Sequence, residues 1–214
     1  MSTTIQDLRE NYLKATLEIE ETAANPFDQF QAWLDFAIES KIKEPNAMTL
    51  ATITKTGRPA ARIVLLKGIR EDGFVFYTNF NSRKGEELLE NPYAALVFNW
   101  LDLEKQIRIE GKVKRLTHEE SESYFQSRPK GSQIGAWASP QSSVIQDRSI
   151  LEDNVTNLTT QYKNDDTLPC PPHWGGFVVQ PDLFEFWQGR SSRLHDRIQY
   201  RWEEEEWIRE RLAP

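Results

Sequence analysis

Three basic side chains near the C-terminal end have a spacing that could create a ligand site. In an extended strand, Arg193, His195 and Arg197 would share one face, with Leu194 and Ile198 on the other. Two guanidinium groups and an imidazole repel one another unless an anion or a polar ligand lies among them. The spacing therefore predicts a ligand site. The alternative is a solvated edge strand whose basic face only opposes edge-to-edge pairing.

Composition limits what that ligand can be. The chain has 214 residues, 38% of them hydrophobic, which is enough for one large domain or two small ones. A formal net charge of −7 argues against general nucleic-acid binding, which needs a basic surface. On an acidic chain, a local group of Arg and Lys instead indicates a small anion such as a phosphate ester.

Location and metal binding can also be addressed from composition. No apolar run is long enough to span a membrane, and the first residues lack the features of a signal peptide. Cys170 is the single cysteine, so we expect no internal disulfide, no cysteine-built metal site and a cytoplasmic location. His118, His173 and His195 lack the spacing of metal ligands, and we expect no metal.

Hydrophobic patterning predicts short antiparallel strands joined by hairpins, with helices between groups of strands. We expect strands over 48–53, 59–67, 74–78, 93–100, 106–116, 176–179, 183–188, 193–202 and 207–212. Helices are expected over 5–15, after a cap at Asp28, after a cap at Ser82, after a capping box at Thr117 and Glu120, and over 147–162, with 128–143 a loop or a short helix with loops. This order predicts a mainly β protein, a barrel-like sheet flanked by helices.

One phosphate site is predicted where a basic strand is followed by a helix start. Arg62 and Lys67 bracket an apolar strand, and Ser82 begins a helix where backbone N–H groups and the dipole favour an anion. The side chains expected around this phosphate are Arg62, Arg83 and Lys84, with Tyr77 and Thr78 as further donors. The alternative for the strand is that its basic residues only extend into solvent at its ends.

A second polar group follows the next helix. Tyr124 and Arg128 lie one helical turn apart and could both reach one phosphate, with Ser132 donating from the next segment. A helix end with a favourable cation explains the same spacing equally well. Gln106, Gln141 and Ser142 offer neutral groups suited to the edge of a heteroaromatic ring. Since no nucleophile, metal motif or carboxylate pair stands out, we expect a bound cofactor to carry the chemistry.

Six groups of residues carry a resemblance to a known family. They are 62–67; 77–78 with 82–84; 127–129 with 132–137; 141–143; 185–188 with 193–197; and 211–214. Nearly end to end and in order, they resemble the pyridoxamine 5′-phosphate oxidase family. The resemblance implies an FMN-binding split β-barrel that works as a homodimer, with FMN in clefts at the subunit interface. A segment 1–25 would act as a flap, and 26–214 would form one domain that includes the C-terminal dimerisation and substrate region.

The resemblance also implies roles for individual residues. FMN would contact Arg62, Ile63, Val64, Leu65, Leu66, Lys67, Tyr77, Thr78, Arg83, Lys84, Gln106, Gln141, Ser142, Trp187 and Arg197. The substrate would meet Lys67, Tyr124, Arg128 and Ser132 through its phosphate, catalytic Arg193 and His195 at its pyridine ring, and Arg9 and Tyr12 in the flap.

The implied activity is oxidation of pyridoxamine and pyridoxine 5′-phosphates to pyridoxal 5′-phosphate, with hydride passing to FMN and O2 becoming H2O2. Two rival functions share the same barrel. One is a non-catalytic carrier of flavin or pyridoxal phosphate, and the other is a reductase acting on a deazaflavin or haem substrate. The paired phosphate clusters and the Arg-x-His-x-Arg strand argue against both. A dimeric scaffold without a ligand would explain the periodicity, but not the convergence of basic residues from four separated segments.

Overall fold

The computed structural model describes residues 5–8 and 11–214 of the chain. Their strands form a nine-stranded sheet in the order β2-β1-β5-β6-β7-β4-β3, with β8 paired to β7 and β9 paired to β8. The strands are β1 Ala47–Ile53, β2 Pro59–Leu65, β3 Gly68–Arg70, β4 Gly73–Asn79, β5 Tyr93–Trp100, β6 Lys105–Arg115, β7 Trp174–Gln188, β8 Asp196–Glu203 and β9 Glu206–Leu212. The helices are α1 Pro26–Glu39, α2 Arg83–Glu90, α3 His118–Ser127, α4 Lys130–Ala138 and α5 Ser149–Gln161. The predicted mainly β class is confirmed.

Helix starts show how local chemistry places these elements. Ser82 caps α2 by accepting from the backbone N–H of Gly85, and Thr117 forms the predicted capping box with Glu120. The predicted cap at Asp28 is wrong. Asn25 caps α1 instead, because Pro26 suits the first helical position, where no N–H is needed.

The predicted helix over 5–15 is also wrong in the described residues. A 3-10 helix covers only Ile5–Asp7, and residues 11–18 have no helix. Their backbone N–H groups bond to distant carboxylates. Lys14 N donates to Glu104 (3.0 Å), and Leu17 N donates to Asp196 (3.1 Å). These long-range bonds replace the helical ones, which are weak in a short isolated helix.

The C-terminal strand begins later than predicted. A 3-10 helix over Ser191–Arg193 ends in a bond from Leu194 N to the carbonyl of Ser191 (3.1 Å). Ser192 and Arg193 have positive φ angles of 56° and 63°. Arg193, His195 and Arg197 therefore do not alternate on one strand face, and that prediction is wrong.

The chain divides into two compact units. The first comprises Met1–Leu50, Ala95–Glu110 and Pro181–Pro214. In its described part, aromatic rings of α1 pack on the sheet: Phe30 lies 5.0 Å from Phe98, and Trp33 lies 5.3 Å from Phe186, measured between ring centroids. Strand β8 pairs with the end of β7 in a register that places Arg197 opposite Trp187.

The second unit comprises Ala51–Ala94 and Gly111–Gln180. Strand β4 pairs with the first part of β7, and this register sets Tyr77 opposite Gly176. Phe125, Leu168 and Trp174 belong to one buried hydrophobic cluster, to which α4 contributes Ile134. In the described part of the chain, no helix is both long and apolar enough to cross a membrane.

Candidate active site

A cleft of about 480 Å³ lies in the second unit. This volume falls in the range of sites for small molecules and cofactors. Its lining residues are Ile63, Val64, Leu65, Lys67, Tyr77, Thr78, Asn79, Lys84, Tyr124, Arg128, Ser132, Gly135, Ala136, Ser139, Gln141 and Trp174. Eleven of the residues predicted for the site line this one cleft: Ile63, Val64, Leu65, Lys67, Tyr77, Thr78, Lys84, Tyr124, Arg128, Ser132 and Gln141.

Aromatic rings form one wall of the cleft. Tyr77 stacks on Tyr124 with 3.9 Å between ring centroids and on Trp174 with 5.3 Å. Strand pairing holds this arrangement, since Tyr77 faces Gly176 in the register and a Cβ at Gly176 would lie 2.9 Å from the Tyr77 ring. Burial raises the pKa of Tyr77, so its phenol stays protonated and can donate a hydrogen bond.

Arg128 supplies a half-buried cation to the cleft. Its guanidinium lies 4.7 Å from the Trp174 ring centroid, a cation–π contact. Gln133 fixes the backbone here by donating to the Arg128 carbonyl (2.9 Å) and accepting from Leu168 N (2.7 Å). Within the described residues, the Nη1 atom of Arg128 is buried and has no hydrogen-bond partner. Burial lowers the pKa of Arg128, but a guanidinium stays charged. A buried donor of this kind fits an anion in the cleft.

A second cationic part of the cleft is built around Lys84. Its Nζ donates to the Thr78 hydroxyl (3.3 Å), which in turn donates to the Gln141 side chain (3.2 Å). Burial, and then the charge of Arg62, lower the pKa of Lys84. These three side chains thus form a connected polar wall that places one ammonium group at the cleft.

Arg62 and Arg83 are held together by a carboxylate of α2 and do not line the cleft. Arg62 Nη2 lies 2.9 Å from Glu87, and Arg83 Nε lies 2.8 Å from the same carboxylate. Leu66 is buried and Ser142 is exposed with a φ of 73°; neither lines the cleft. The predicted phosphate cluster is therefore divided, with Lys84 at the cleft and both arginines on Glu87.

The first unit contains the other group of predicted residues. Trp187 lies 4.6 Å from the His195 ring and 5.8 Å from the Tyr12 ring, and Tyr12 lies 5.8 Å from His195. Gln106 joins Tyr12 and Trp187 in lining a smaller cavity of about 180 Å³. Three separated segments therefore meet here, with the Tyr12 ring in edge contact with the other two rings.

His195 is held in one tautomer by the loop before β8. The Arg190 backbone N–H donates to its Nδ1 (3.1 Å), so the neutral ring carries its proton on Nε2. Burial, and then the charge of Arg193, lower the pKa of His195 below its ordinary 6.5. Asp196 anchors the same loop by accepting from Arg190 Nη1 (2.8 Å) and Arg211 Nη1 (2.9 Å). His195 is therefore a neutral donor at neutral pH.

A histidine titration tests this state. We expect His195 to titrate below pH 6.5, because charging the ring costs desolvation, repulsion from Arg193 and the bond from Arg190 N. Above that pKa the loop bond is intact, and it is lost as pH falls through it. NMR of the ring protons, assigned with a His195→Asn protein, measures the value, and a pKa at or above 6.5 would contradict the assigned bond.

Arg197 and Arg193 have different environments. Arg197 makes a two-pronged ion pair with buried Glu185 (2.9 and 3.0 Å) and donates to the Ala213 carbonyl (2.8 Å). The bond to Glu185 raises the pKa of Arg197. Arg193 is exposed at the end of the 3-10 helix. Arg9, predicted for the flap, lies outside the described residues.

Sequence reasoning missed residues that hold or complete these sites. Trp174 precedes Gly175 and Gly176 and stacks in the cleft only because β7 pairs with β4, a register that local patterning does not reveal. Glu87 and Glu185 were also missed. For Glu87 a signal existed, since it follows Arg83 by four residues on the same helix. In the described residues, no group of three or more His, Cys, Asp or Glu could hold a metal ion.

Comparison with known proteins shows which family the chain belongs to. Residues 34–162 match the family model described as pyridoxamine 5′-phosphate oxidase, and 174–214 match the pyridoxine 5′-phosphate oxidase C-terminal dimerisation region. A pyridoxine/pyridoxamine 5′-phosphate oxidase of Acaryochloris marina is 55% identical over 99% of this chain and 96% of that relative. The chain belongs to this oxidase family. It is an oxidoreductase, and the family resemblance predicted from its motifs is confirmed.

Other relatives agree. An enzyme of the same name from Paraburkholderia phytofirmans is 51% identical, covering 99% of this chain and all of that relative. The solved structure of PhzG from Burkholderia lata, in complex with tetrahydrophenazine-1-carboxylic acid, has a TM-score of 0.87 at 31% identity, covering 92% of this chain and 96% of that one. An FMN-binding, oxidase-related protein from Nostoc punctiforme has a TM-score of 0.70 at 18% identity over 89% and 98%. The fold is the split β-barrel of this family.

Proposed function

We propose that this oxidoreductase converts pyridoxamine and pyridoxine 5′-phosphates into pyridoxal 5′-phosphate, using FMN and O2 and releasing H2O2, plus ammonia from the amine. Support comes from relatives named pyridoxine/pyridoxamine 5′-phosphate oxidase, whose matches cover 99% of this chain. The observation that carries the substrate class is the buried Arg128 Nη1, which has no partner in the described chain and lies at a cleft with two lysines. A phosphate ester supplies the acceptor that this donor lacks.

The residues present fit FMN as well. Lys84 brings a cation to the cleft, and Thr78 and Gln141 add neutral donors and acceptors suited to a ring edge. The residues that would hold FMN are those predicted from the family: Arg62 to Lys67, Tyr77, Thr78, Arg83, Lys84, Gln106, Gln141, Ser142, Trp187 and Arg197. When bound, FMN supplies hydride acceptance and reaction with O2.

The chain itself binds and orients the substrate. Arg128, Tyr124, Ser132 and Lys67 would hold its phosphate, which gives binding energy remote from the reacting carbon. Arg193 and His195 would face the pyridine ring. Because His195 is neutral with its proton on Nε2, it can donate to the ring's 3-oxygen without adding a charge. Tyr12, packed on His195 and Trp187, would help exclude water.

The assembly is part of the proposal. We propose a cytoplasmic homodimer with FMN at the subunit interface, supported by the match of 174–214 to a family dimerisation region. Residues 1–25 would form the flap and 26–214 one domain. Size-exclusion chromatography with light scattering should give a molar mass about twice the chain mass of 24.9 kDa. A species of single-chain mass would contradict this assembly.

A direct experiment tests the activity. The purified protein should be yellow, and pyridoxamine 5′-phosphate added without O2 should bleach its visible absorbance. Admitting O2 should restore the colour, with pyridoxal 5′-phosphate and H2O2 formed in equal amounts. A yellow protein that neither bleaches nor consumes O2 would support the carrier instead. A colourless protein that takes up no FMN would contradict the proposal as a whole.

An Arg193→Ala protein should keep its flavin but lose about 10- to 100-fold in kcat/KM for pyridoxamine 5′-phosphate, as expected for one lost charge-assisted bond. The matched control is Arg201→Ala, because Arg201 on β8 pairs with Glu203 and Glu210 (3.0 Å each) outside the proposed site. Steady-state kinetics with a flavin spectrum measures both properties. Wild-type kinetics in Arg193→Ala would remove Arg193 from the site.

A further inference from the structure

Glu87 is a buried carboxylate with three side-chain hydrogen-bond donors around it. It is only 4% exposed, on the second turn of α2. Its Oε1 accepts from Arg83 Nε (2.8 Å), and its Oε2 accepts from Arg62 Nη2 (2.9 Å) and from the Thr52 hydroxyl. The Thr52 oxygen also accepts from Arg62 Nη1. Such a carboxylate is stable when buried because each oxygen is bonded to a donor. Hydrogen bonds from Thr52, Arg83 and Arg62 lower the pKa of Glu87 even though burial, the largest effect, raises it.

This carboxylate lies beside the cationic end of the cleft. Glu87 follows Lys84 by three residues on α2, which places the two side chains on one face of the helix, and the Lys84 side chain lines the cleft. The start of α2, where Ser82 is the cap, adds backbone N–H groups to the same region. Arg62, Arg83 and Lys84 together carry three positive charges and Glu87 one negative charge, which leaves a net +2. That balance matches a phosphate monoester dianion.

We infer that Glu87 is a positioning residue that sets the two arginines for the phosphate of the cofactor. This inference rests on the proposed use of FMN and extends it to a residue that would touch neither flavin nor substrate. The Arg62 guanidinium is held by Glu87 and Thr52 together, while the Arg83 side chain is 62% exposed and, within the described residues, held at Nε alone. Without Glu87, Arg83 loses its bond and three cations face one another without a counter-charge. Held side chains lose less conformational entropy when the phosphate binds.

The experiment uses substitutions that conserve charge. Glu87→Asp keeps the negative charge but shortens the side chain, and Thr52→Val removes the shared hydroxyl without changing shape. Both should weaken FMN binding roughly ten-fold, the scale seen when residues that orient a ligand-binding side chain are lost. Riboflavin, which lacks the phosphate, should bind within about two-fold of wild type. Fluorescence titration of the deflavinated protein measures its affinity for FMN and for riboflavin.

The control is Glu90→Asp, an exposed acid at the end of the same helix. It should leave the FMN to riboflavin ratio unchanged. Thermal unfolding of each apoprotein shows whether the variant folds, and Thr52→Val carries the test if Glu87→Asp does not. An equal loss of affinity for FMN and riboflavin, or no loss of affinity for either, would overturn the inference. Wild-type protein that binds no FMN would instead overturn the proposed function, so the two failures are distinguishable.

Discussion

An Arg128→Met protein is expected to keep its fold and its flavin while losing most of its affinity for phosphorylated substrate. The half-buried guanidinium packs on the Trp174 ring, and its buried Nη1 has no partner in the described chain. A phosphate that meets it forms a desolvated, charge-assisted bond, and removing one partner of such a pair costs about 2–4 kcal/mol. The expected loss in kcat/KM for pyridoxamine 5′-phosphate is therefore roughly 30- to 1000-fold.

The same substitution should not weaken the apoprotein. A buried donor without a partner costs about 1–3 kcal/mol, and methionine removes it while filling similar space. The lost cation–π contact with Trp174 offsets part of this gain. Urea unfolding of the apoprotein should thus give a stability equal to or above that of wild type. Loss of affinity without loss of stability separates a ligand contact from a structural one.

Two comparisons make the Arg128 result decisive. Unphosphorylated pyridoxamine should react at the same low rate with both proteins, because it has no phosphate for Arg128 to hold. Arg115→Met is the matched control, since Arg115 lies over the Phe80 ring (3.7 Å) and does not line the cleft. Equal losses for both substrates would show that Arg128 does not bind phosphate.

Sequence patterning succeeded where the deciding interaction is local. Ser82 and Thr117 start helices through bonds within three residues, and both were predicted from residue type alone. Placing Arg128 and Tyr124 at one cleft also follows from helical spacing. Arg128 is also the C-cap of α3, so the other explanation, a cation at a helix end, describes the same residue. Its buried Nη1 without a partner in the described chain is a feature that spacing cannot show.

Patterning failed where distant groups compete with the local choice. The helix predicted over 5–15 does not form in residues 11–15, where Glu104 binds the Lys14 backbone N–H from far along the chain, and Asp196 likewise binds the Leu17 N–H just beyond. The strand predicted from Arg193 starts at Asp196 because a tight turn with two positive φ angles comes first, with a bond from Arg190 N to His195. In both cases the alternation or helical period was present in the sequence, and the segment instead makes long-range or turn-specific bonds that local patterning does not reveal.

A Gly73→Ala substitution should lower the free energy of unfolding more than any of the substitutions described above. Gly73 begins β4 with a φ of 149°, and a Cβ there would lie 2.0 Å from the Val179 carbonyl oxygen. Backbone atoms cannot move aside as a flexible side chain can, so β4 would have to separate from β7. Strain of this kind together with lost strand pairing is expected to cost at least about 3 kcal/mol.

Gly57→Ala separates the two causes of that loss. Gly57 also has a positive φ, 82°, but a Cβ there would meet nothing within 4 Å in the described chain. Its expected cost is only about 1 kcal/mol, the ordinary penalty of a left-handed backbone. Denaturant unfolding of the two proteins measures both values, and similar costs would show that contact with Val179 is unimportant.

The Gly73 result also bears on the cleft, because β4 carries Tyr77 and Thr78 into it through the register that begins at Phe74 and Val179. A strand that shifts by one residue turns every side chain to the opposite face. Any Gly73→Ala protein that folds should therefore bind FMN more weakly than the Gly57→Ala protein, although Gly73 is not among the residues predicted to contact FMN. Equal FMN affinity in the two proteins would show that the cleft does not depend on this register, and that the side chains of β4 are held in place by their neighbours instead.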